Sequence, residues 1–419
     1  MLPASDIALL RELAKKVAEL AADPVNDAKR ELWYRHTDLK GGRPPLFISP
    51  EGSWEEILHQ SRLRCVSDEG KRLENDLMQR ILRAELIRDD VPIERTIPVP
   101  ICVVPVNHGW GMELERTASS VSRGAWNYKP VVEKPSDWKR LKRPKLEVDE
   151  EGVRRKVMTL QEAIGDILDV EMTGCTGFSF HMMHCYCDFR GLTNMMMDLV
   201  LEPGMVHEVI SFFAEGLQEY IDQIKAANLI ALNNRGQYHY TGGLGYTNDL
   251  PKEWFDPQKV RFDDVWAAAE AQEFAQVSPE MHEEFILQYE RKLLANFGMN
   301  GYGCCDDLTR KLPNVLKIKN LRRVGISPWA DIEKCADQLG KDYLLTWKPQ
   351  PSYLAAEQFD DEFVQKYLTE SLKKSAHANV EIILRDTHTC RNEPGRFLRF
   401  RNCAYGAIEE VYDCQIPWK

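Results

Sequence analysis

Features that define several large classes of protein are missing from this sequence of 419 residues. No apolar run reaches the roughly 18 residues that a membrane-spanning helix needs. The N-terminus is a charged amphipathic pattern rather than a basic stretch followed by an apolar one, so a secretory leader is not expected. Acidic residues outnumber basic ones, 65 to 54, which argues against binding to nucleic acid or to an anionic membrane surface. These absences predict a cytoplasmic protein with no nucleic-acid and no membrane partner.

A regular cysteine framework is missing as well. The 11 cysteines are an odd number and follow no repeated spacing, unlike those of small disulfide-bonded proteins. A chain of this length can bury a large core without such cross-links. The thiols are therefore expected to be reduced and available for burial or for metal binding. Phosphate-binding loops, HExxH and GxSxG motifs are also absent.

The sequence does contain amphipathic helices and short apolar runs in a recognisable order. Up to about residue 95 the pattern is helical, and Ser53 with Glu56 has the form of a capping box that would begin a third helix. Beyond it, helices alternate with apolar runs that end in polar or glycine-rich turns. These runs lie at residues 98–106, 167–172, 229–232, 298–300, 321–326, 343–347 and 380–384.

Strands that alternate with helices are typical of a parallel sheet with helical crossovers. Seven or eight of them over about 300 residues predict an α/β fold, a (β/α)8 barrel of the TIM type. Residues 1–95 would form an N-terminal helical extension packed on it, and residues 96–419 the barrel domain. A doubly wound open sheet is the alternative, but its glycine-rich phosphate fingerprint is not found.

The unusual residues follow the predicted strands, where the active site of a barrel lies. Cys304-Cys305-Asp306-Asp307 follows one apolar run, and Asp386-Thr387-His388-Thr389-Cys390 follows the last. Zinc binds thiolate and imidazole, and a catalytic zinc ion keeps one position open for substrate. Two such strand ends would supply the ligands, and the alternative is that the thiols are merely buried.

Three further segments contain candidate site residues. His181 to Asp188 is rich in His, Cys and Met, and its pattern favours a soft pocket edge over a metal cluster. In Tyr238-His239-Tyr240, the imidazole is a candidate acid or base, with a partly buried aromatic loop as an equal alternative. His108 and Trp110 lie at another strand end, where they would line a pocket.

The order of segments from about residue 229 to 407 resembles the uroporphyrinogen decarboxylase superfamily, whose fold is a (β/α)8 barrel. The resemblance rests on Ser278-Pro279-Glu280 before Tyr302-Gly303-Cys304-Cys305, on residues 326–331, and on the 386–390 turn before Pro394. The arginine-rich N-terminal motif of the true decarboxylases is not found. The chain therefore resembles more closely the branch of corrinoid-linked methyltransferases. There Cys304 and Cys390 match the two zinc-binding cysteines, and Tyr302 stands where the ligand histidine should be.

The resemblance implies an enzyme that moves a methyl group between a small O-methyl or N-methyl compound and a corrinoid (cobalamin). A separate corrinoid protein would carry the cobalamin, and zinc would assist the demethylation. The alternatives are a metal-free decarboxylase of a small carboxylated compound and a ligand-binding barrel without enzymatic activity. A homodimer is an open alternative for the assembly. The expected site comprises the zinc ligands Cys304, His388 and Cys390 (Cys305 as the substitute), the catalytic residues His239 and Asp386, and the substrate contacts Trp110, Tyr238 and Tyr302.

Overall fold

Seven parallel strands form the central sheet of the molecule. The computed structural model describes residues 2–105, 109–117, 127–239 and 241–419. The strand order in the sheet is β1-β9-β8-β7-β6-β5-β4, and β2 and β3 form a separate parallel pair. The strands are β1 (Leu46–Ile48), β2 (Thr96–Pro100), β3 (Asp169–Thr173), β4 (Ser179–Phe180), β5 (Trp266–Ala269), β6 (Met299–Tyr302), β7 (Leu321–Ile326), β8 (Leu344–Trp347) and β9 (Asn379–Leu384).

This order is consistent with a TIM-like fold, because the first strand pairs with the last and β9 to β4 follow one another in the sheet. Leu46 to Ile48 lie beside Ile382 to Leu384 in parallel register. The predicted α/β class with a parallel sheet is therefore confirmed. The closed eight-stranded ring is not seen in the described ranges, where β1 and β4 remain the edges. The strand predicted at residues 229–232 is a single parallel bridge between Cys175 and Ile230.

Fifteen α-helices are present in the described ranges, and several begin and end where the sequence predicts. Ser278 accepts a hydrogen bond from the backbone N–H of Met281, 3.2 Å, as an N-cap should. None of the helices in these ranges combines the length and the apolar character needed to cross a bilayer. The helices are α1 (Ala4–Ala21), α2 (Val25–Thr37), α3 (Trp54–Ile57), α4 (Asp68–Leu82), α5 (Glu150–Ile164), α6 (Met182–Arg190), α7 (Leu192–Leu201), α8 (Pro203–Ala226), α9 (Pro279–His282), α10 (Gln288–Leu294), α11 (Leu312–Val315), α12 (Ile332–Leu339), α13 (Ser352–Ala355), α14 (Asp361–Ser375) and α15 (Gly395–Tyr412).

The segment predicted as a helical extension contributes to two parts of the structure. Its strand β1 belongs to the central sheet. Its helices α1 and α4 pack with α5, β2 and β3 around a second hydrophobic core, which contains Leu10, Leu77 and Leu160. Helix α3 begins directly after Ser53 as predicted, but the Ser53 side chain does not cap it, since its hydroxyl donates to the carbonyl of Thr387, 2.7 Å.

A hairpin formed by residues 237–239 and 241–245, here called the inner hairpin, packs against strands β6, β8 and β9. Tyr238 and Leu244 form its antiparallel bridge. Gly242 and Gly243 have positive φ angles, +138° and +73°. A Cβ on Gly242 would lie 2.5 Å from Cγ2 of Thr346 on β8. Only glycine allows the hairpin to approach the strands this closely.

A buried ion pair holds the inner hairpin and three strands together. Arg323 on β7 and Glu381 on β9 are both fully buried, and Nε of Arg323 lies 2.8 Å from Oε1 of Glu381. Thr346 donates to the same carboxylate, 2.6 Å, and Nη2 of Arg323 donates to the carbonyl of Leu244, 3.0 Å. The pair therefore connects β7, β8, β9 and the hairpin at one point.

We predict that the substitution Glu381→Ala lowers the free energy of unfolding by about 3–5 kcal/mol, because it leaves a buried guanidinium without its partner. Urea unfolding monitored by circular dichroism measures the change. Glu410→Ala is the matched control, since Glu410 pairs with Lys373 at the surface and its loss should cost at most about 1 kcal/mol. Equal effects of the two substitutions would contradict this account of the core.

Candidate active site at the mouth of the barrel

The C-terminal ends of the parallel strands meet at one end of the sheet, here called the mouth. His181 follows β4 directly, Glu270 follows β5, Lys348 follows β8, and Arg385 follows β9. The thiols of Cys304 and Cys305 come just after β6, beyond Gly303 with its φ of +90°. Residues far apart in the sequence thus converge where barrel enzymes hold their substrates.

The two adjacent thiols contact each other and the end of β9. Their Sγ atoms are 3.3 Å apart, and Sγ of Cys305 lies 3.3 Å from Oδ2 of Asp386. The contact with Cys305 lowers the pKa of the Cys304 thiol, and the positive charges of Lys348 and Arg385 lower it further. The pKa of Cys305 is raised, first by the same contact with Cys304 and then by burial.

Arg385 organises the opposite side of the mouth. Its Nη1 donates to the hydroxyl of Tyr238, 2.7 Å, and its Nε lies 3.2 Å from Oε1 of Glu51. Glu51 also accepts a hydrogen bond from the backbone N–H of Asp386, 3.0 Å. Desolvation raises the pKa of Tyr238 although 41% of the residue is exposed. Tyr238 is therefore partly accessible while Arg385 holds its hydroxyl.

A histidine–carboxylate pair follows β4 and β5. Nδ1 of His181 lies 2.8 Å from Oε1 of Glu270, and both side chains are buried. Burial by itself would raise the pKa of Glu270, but the hydrogen bond with His181 and the backbone N–H of Gln272 lower it overall. Because the lowered pKa of Glu270 favours its ionised form, we assign the proton of the bond to Nδ1 of His181. This is the arrangement of a general acid or base held in place by a carboxylate.

A second, more exposed histidine lies one turn further along α6. Nδ1 of His184 is 2.9 Å from Oε1 of Glu273, and Nε2 is 3.4 Å from Oδ2 of Asp188. The hydrogen bond with Glu273 raises the pKa of His184 to about 9 against the effect of burial. His184 is therefore a cation at neutral pH. The predicted soft pocket edge at residues 181–188 contains two histidine–carboxylate pairs.

Asp306 is a third titratable group behind the thiols. It is buried, and desolvation raises its pKa to about 6 although Nζ of Lys311 lies 3.6 Å from its carboxylate. Lys348 on the neighbouring side is also buried, and its Nζ donates to the carbonyl of Cys304, 2.8 Å. The turn that carries the thiols is thus surrounded by groups that can hold or move a proton.

The predicted zinc ligands do not come together as a metal site. In the described ranges, no group of three or more His, Cys, Asp or Glu side chains is arranged to hold a metal ion. Sγ of Cys390 donates instead to Oε2 of Glu56, 3.1 Å, and burial together with that carboxylate raises the pKa of the thiol to about 12. His388 packs against Gly52. A protonated Cys390 that donates to a carboxylate does not fit a zinc ligand.

Glu56 has a different role from the capping box predicted with Ser53. Its carboxylate accepts hydrogen bonds from the hydroxyl of Thr389, 2.5 Å, and from the backbone N–H groups of Cys390, 2.8 Å, and Asn392, 2.9 Å. Burial would raise its pKa, but these bonds lower it to about 2. Glu56 therefore fixes the turn after β9.

The remaining residues predicted for the site do not all lie at the mouth. Tyr238 and Asp386 lie at the mouth with Arg385 and Cys305. His239 is buried 4.4 Å from the ring of Trp266, and desolvation lowers its pKa well below the usual value, so it is neutral. It borders a cavity of about 20 Å3 beside Tyr238, which has room for about one water molecule.

Two predicted substrate contacts are buried away from this cavity. Trp110 packs edge-on against Phe213 of α8, with ring centroids 4.7 Å apart. Tyr302 points into the helical layer, where its hydroxyl donates to Glu290, 2.8 Å, and lies 2.8 Å from Nε2 of His282. His108 and Tyr240 lie outside the described residues.

The sequence pattern does not single out Glu270, and it predicts His181 only as part of a soft pocket edge at residues 181–188. Glu270 follows an alanine-rich strand that the apolar pattern does not reveal. The sequence contains a weak indication of these pairs. His181 and His184 are three residues apart, as are Glu270 and Glu273, and each histidine contacts one of the two carboxylates.

Comparison with known proteins supports the fold and leaves the family open. No protein-family model matches the chain, and no curated protein matches it in sequence. A methyltransferase from Methanosarcina mazei has a similar structure, with a TM-score of 0.53 and 11% sequence identity. The alignment covers 91% of this chain and 98% of that protein. At this identity the similarity shows a shared fold.

We predict a pH-dependent contribution of His184 to stability. Its pKa is raised from 6.5 to about 9 in the folded protein, so the proton binds more tightly to the folded state. The contribution is complete below pH 6.5 and is lost as the pH rises through about 9. Relative to Glu273→Gln, the wild type should therefore lose more unfolding free energy over that interval. Urea unfolding at a series of pH values measures it.

The matched control for this experiment is Asp337→Asn. Asp337 pairs with His377 at the surface, 3.0 Å, so its neutralisation should leave the pH dependence close to that of the wild type. Identical pH profiles for the wild type and Glu273→Gln would show that His184 is not held as a cation.

Proposed function

We propose that this chain is a methyltransferase that removes a methyl group from a small O-methyl or N-methyl compound and that the acceptor is a corrinoid on a separate protein. The observation that carries the proposal is the pair of His181 and Glu270 at the mouth of a parallel barrel sheet. The pair supplies what demethylation requires of the enzyme, a positioned proton donor for the leaving atom.

The bond changes define the role of each residue. The bond between the methyl carbon and the substrate oxygen or nitrogen breaks, and the methyl group passes to the acceptor. A reduced corrinoid, when bound, supplies the nucleophile. The leaving atom keeps the bonding electrons and takes a proton from Nε2 of His181, while Glu270 orients the ring and stabilises its cationic form. Asp306, with its pKa of about 6, is a second proton carrier behind the thiols.

Tyr238 and Arg385 would contact the substrate. The ring of Tyr238 is partly exposed at the mouth, and its hydroxyl is held by Arg385. An aromatic face beside a fixed guanidinium suits a small compound that has an apolar methylated part and a polar or anionic part. His239, neutral and beside the small cavity that Tyr238 also borders, would contact the same compound or a water molecule.

The shared fold with the Methanosarcina mazei methyltransferase is compatible with this proposal. Zinc is a prediction that rests on the sequence resemblance alone. The contact of Cys390 with Glu56 does not favour zinc binding by that thiol. The corrinoid protein is likewise a proposed partner.

The proposal predicts that His181→Gln reduces methyl transfer by about 100-fold or more, which is the usual contribution of a general acid. Purified protein is incubated with reduced cobalamin and a panel of small O-methyl and N-methyl compounds. Formation of methylcobalamin is followed by its absorption spectrum. Glu270→Gln should also lower the rate and should shift the pH dependence of kcat, because Glu270 acts through His181.

His377→Gln is the matched control, because His377 lies at the surface and pairs with Asp337. It should transfer methyl groups at the wild-type rate. Full activity of His181→Gln would remove the pair from the mechanism. Release of carbon dioxide from a carboxylated compound, without methylcobalamin, would favour the decarboxylase alternative.

A further inference from the structure

We propose that Cys304 and Cys305 form a redox modification site, in which a small-molecule disulfide such as oxidised glutathione converts the two adjacent thiols into a reversible disulfide. The proposal concerns the thiols themselves and does not depend on the reaction that the mouth catalyses.

The first observation is the contact between the two sulfur atoms. Their separation of 3.3 Å exceeds the length of a disulfide bond, about 2.05 Å, by little more than 1 Å. The residues are already joined through the backbone, so no strand has to move to bring the thiols together. Closing the bond requires only rotation of the two side chains and adjustment of the turn that follows Gly303.

The second observation is the difference in accessibility between the two thiols. Cys304 is only 2% exposed, whereas Cys305 is partly exposed at the mouth. Asp386, after β9, accepts the S–H of Cys305. Cys305 is thus the thiol that a reagent reaches first. Cys304 lies in position to attack the mixed disulfide that forms on Cys305.

The reaction balances as two thiol–disulfide exchanges. Cys305 gives its proton to water, and its sulfur attacks the small disulfide, which releases one glutathione thiolate. The sulfur of Cys304 then loses its proton and attacks the sulfur of Cys305, which releases the second glutathione. The two thiolates take up the two protons. Two protein thiols are oxidised, and one small disulfide is reduced to two thiols.

The product should be easy to reduce. Consecutive Cα atoms lie about 3.8 Å apart, which is below the usual Cα separation of about 4.4–6.8 Å across a disulfide. A strained disulfide has a higher reduction potential than a structural one and belongs to the labile, regulatory class. Its formation also removes the hydrogen bond from Cys305 to Asp386, so it alters the contact between the ends of β6 and β9.

Two other sets of thiols provide internal comparisons. Cys102 and Cys175 also contact each other, but both are buried, so a reagent should not reach them in the folded protein. Cys414 is partly exposed and has no thiol neighbour in the described ranges. It can form a mixed disulfide with glutathione but has no partner with which to resolve it.

The test uses the folded wild-type chain, incubated with oxidised glutathione, then unfolded in an alkylating reagent, digested and analysed by mass spectrometry. We expect the peptide that contains Cys304 and Cys305 to lose the mass of two hydrogens and to escape alkylation. Dithiothreitol should restore alkylation of both thiols. Cys414 should carry glutathione or the alkyl group in the same sample. The variant Cys305→Ser should lose the internal cross-link, and the control Cys414→Ser should keep it.

Three results would overturn the proposal. One is full alkylation of Cys304 and Cys305 in the treated wild type while Cys414 reacts with glutathione. Another is a stable glutathione adduct on Cys305 without closure to Cys304. The third is a cross-link between Cys102 and Cys175 in place of the expected one. The wild-type measurement decides among these even if a variant fails to fold.

Discussion

The ion pair between Arg323 and Glu381 inside the sheet is the constraint on which the mouth depends. Two fully buried charges are stabilising only when their partners are fixed, because desolvation costs several kcal/mol per ion. Thr346 and the carbonyl of Leu244 supply those partners. The pair therefore fixes both the strand register and the depth of the inner hairpin, and the hairpin carries Tyr238 to the mouth, where Arg385 holds it.

The chemistry of the mouth follows from parallel strands. Since all strands of the sheet run in the same direction, the residue after each one lies at the same end. This brings Cys305 to Asp386 and His181 to Glu270 across long sequence separations. Charged groups of both signs then lie at the mouth. The ionised Glu270 orients a proton donor, and Lys348 and Arg385 favour ionisation of Cys304. Proton transfer and thiol chemistry are thus available in one place.

Cys390 has the residue type of a zinc ligand but not the surroundings of one. A cysteine beside a histidine at a strand end has the composition of a metal site, but a thiol binds zinc as a thiolate. The carboxylate of Glu56 keeps Cys390 protonated and fixes its turn by further hydrogen bonds. Cys304 lies near cations instead, and its pKa is lowered. Two cysteines that are equivalent in the sequence pattern therefore have opposite electrostatic surroundings.

The sequence by itself determined the elements whose pattern is local. The apolar runs predicted β6 to β9, helical periodicity and capping predicted α12 and α15, and the strand ends located the thiols and Asp386. The tertiary structure decided what depends on distant partners. Strands β1, β4 and β5 are too short or too rich in alanine to show a pattern, and they exist because neighbouring strands pair with them. Tyr302 turned into the helical layer, and Cys390 met Glu56, 334 residues away in the chain. Such contacts are set by packing and desolvation between remote segments, which local periodicity does not encode.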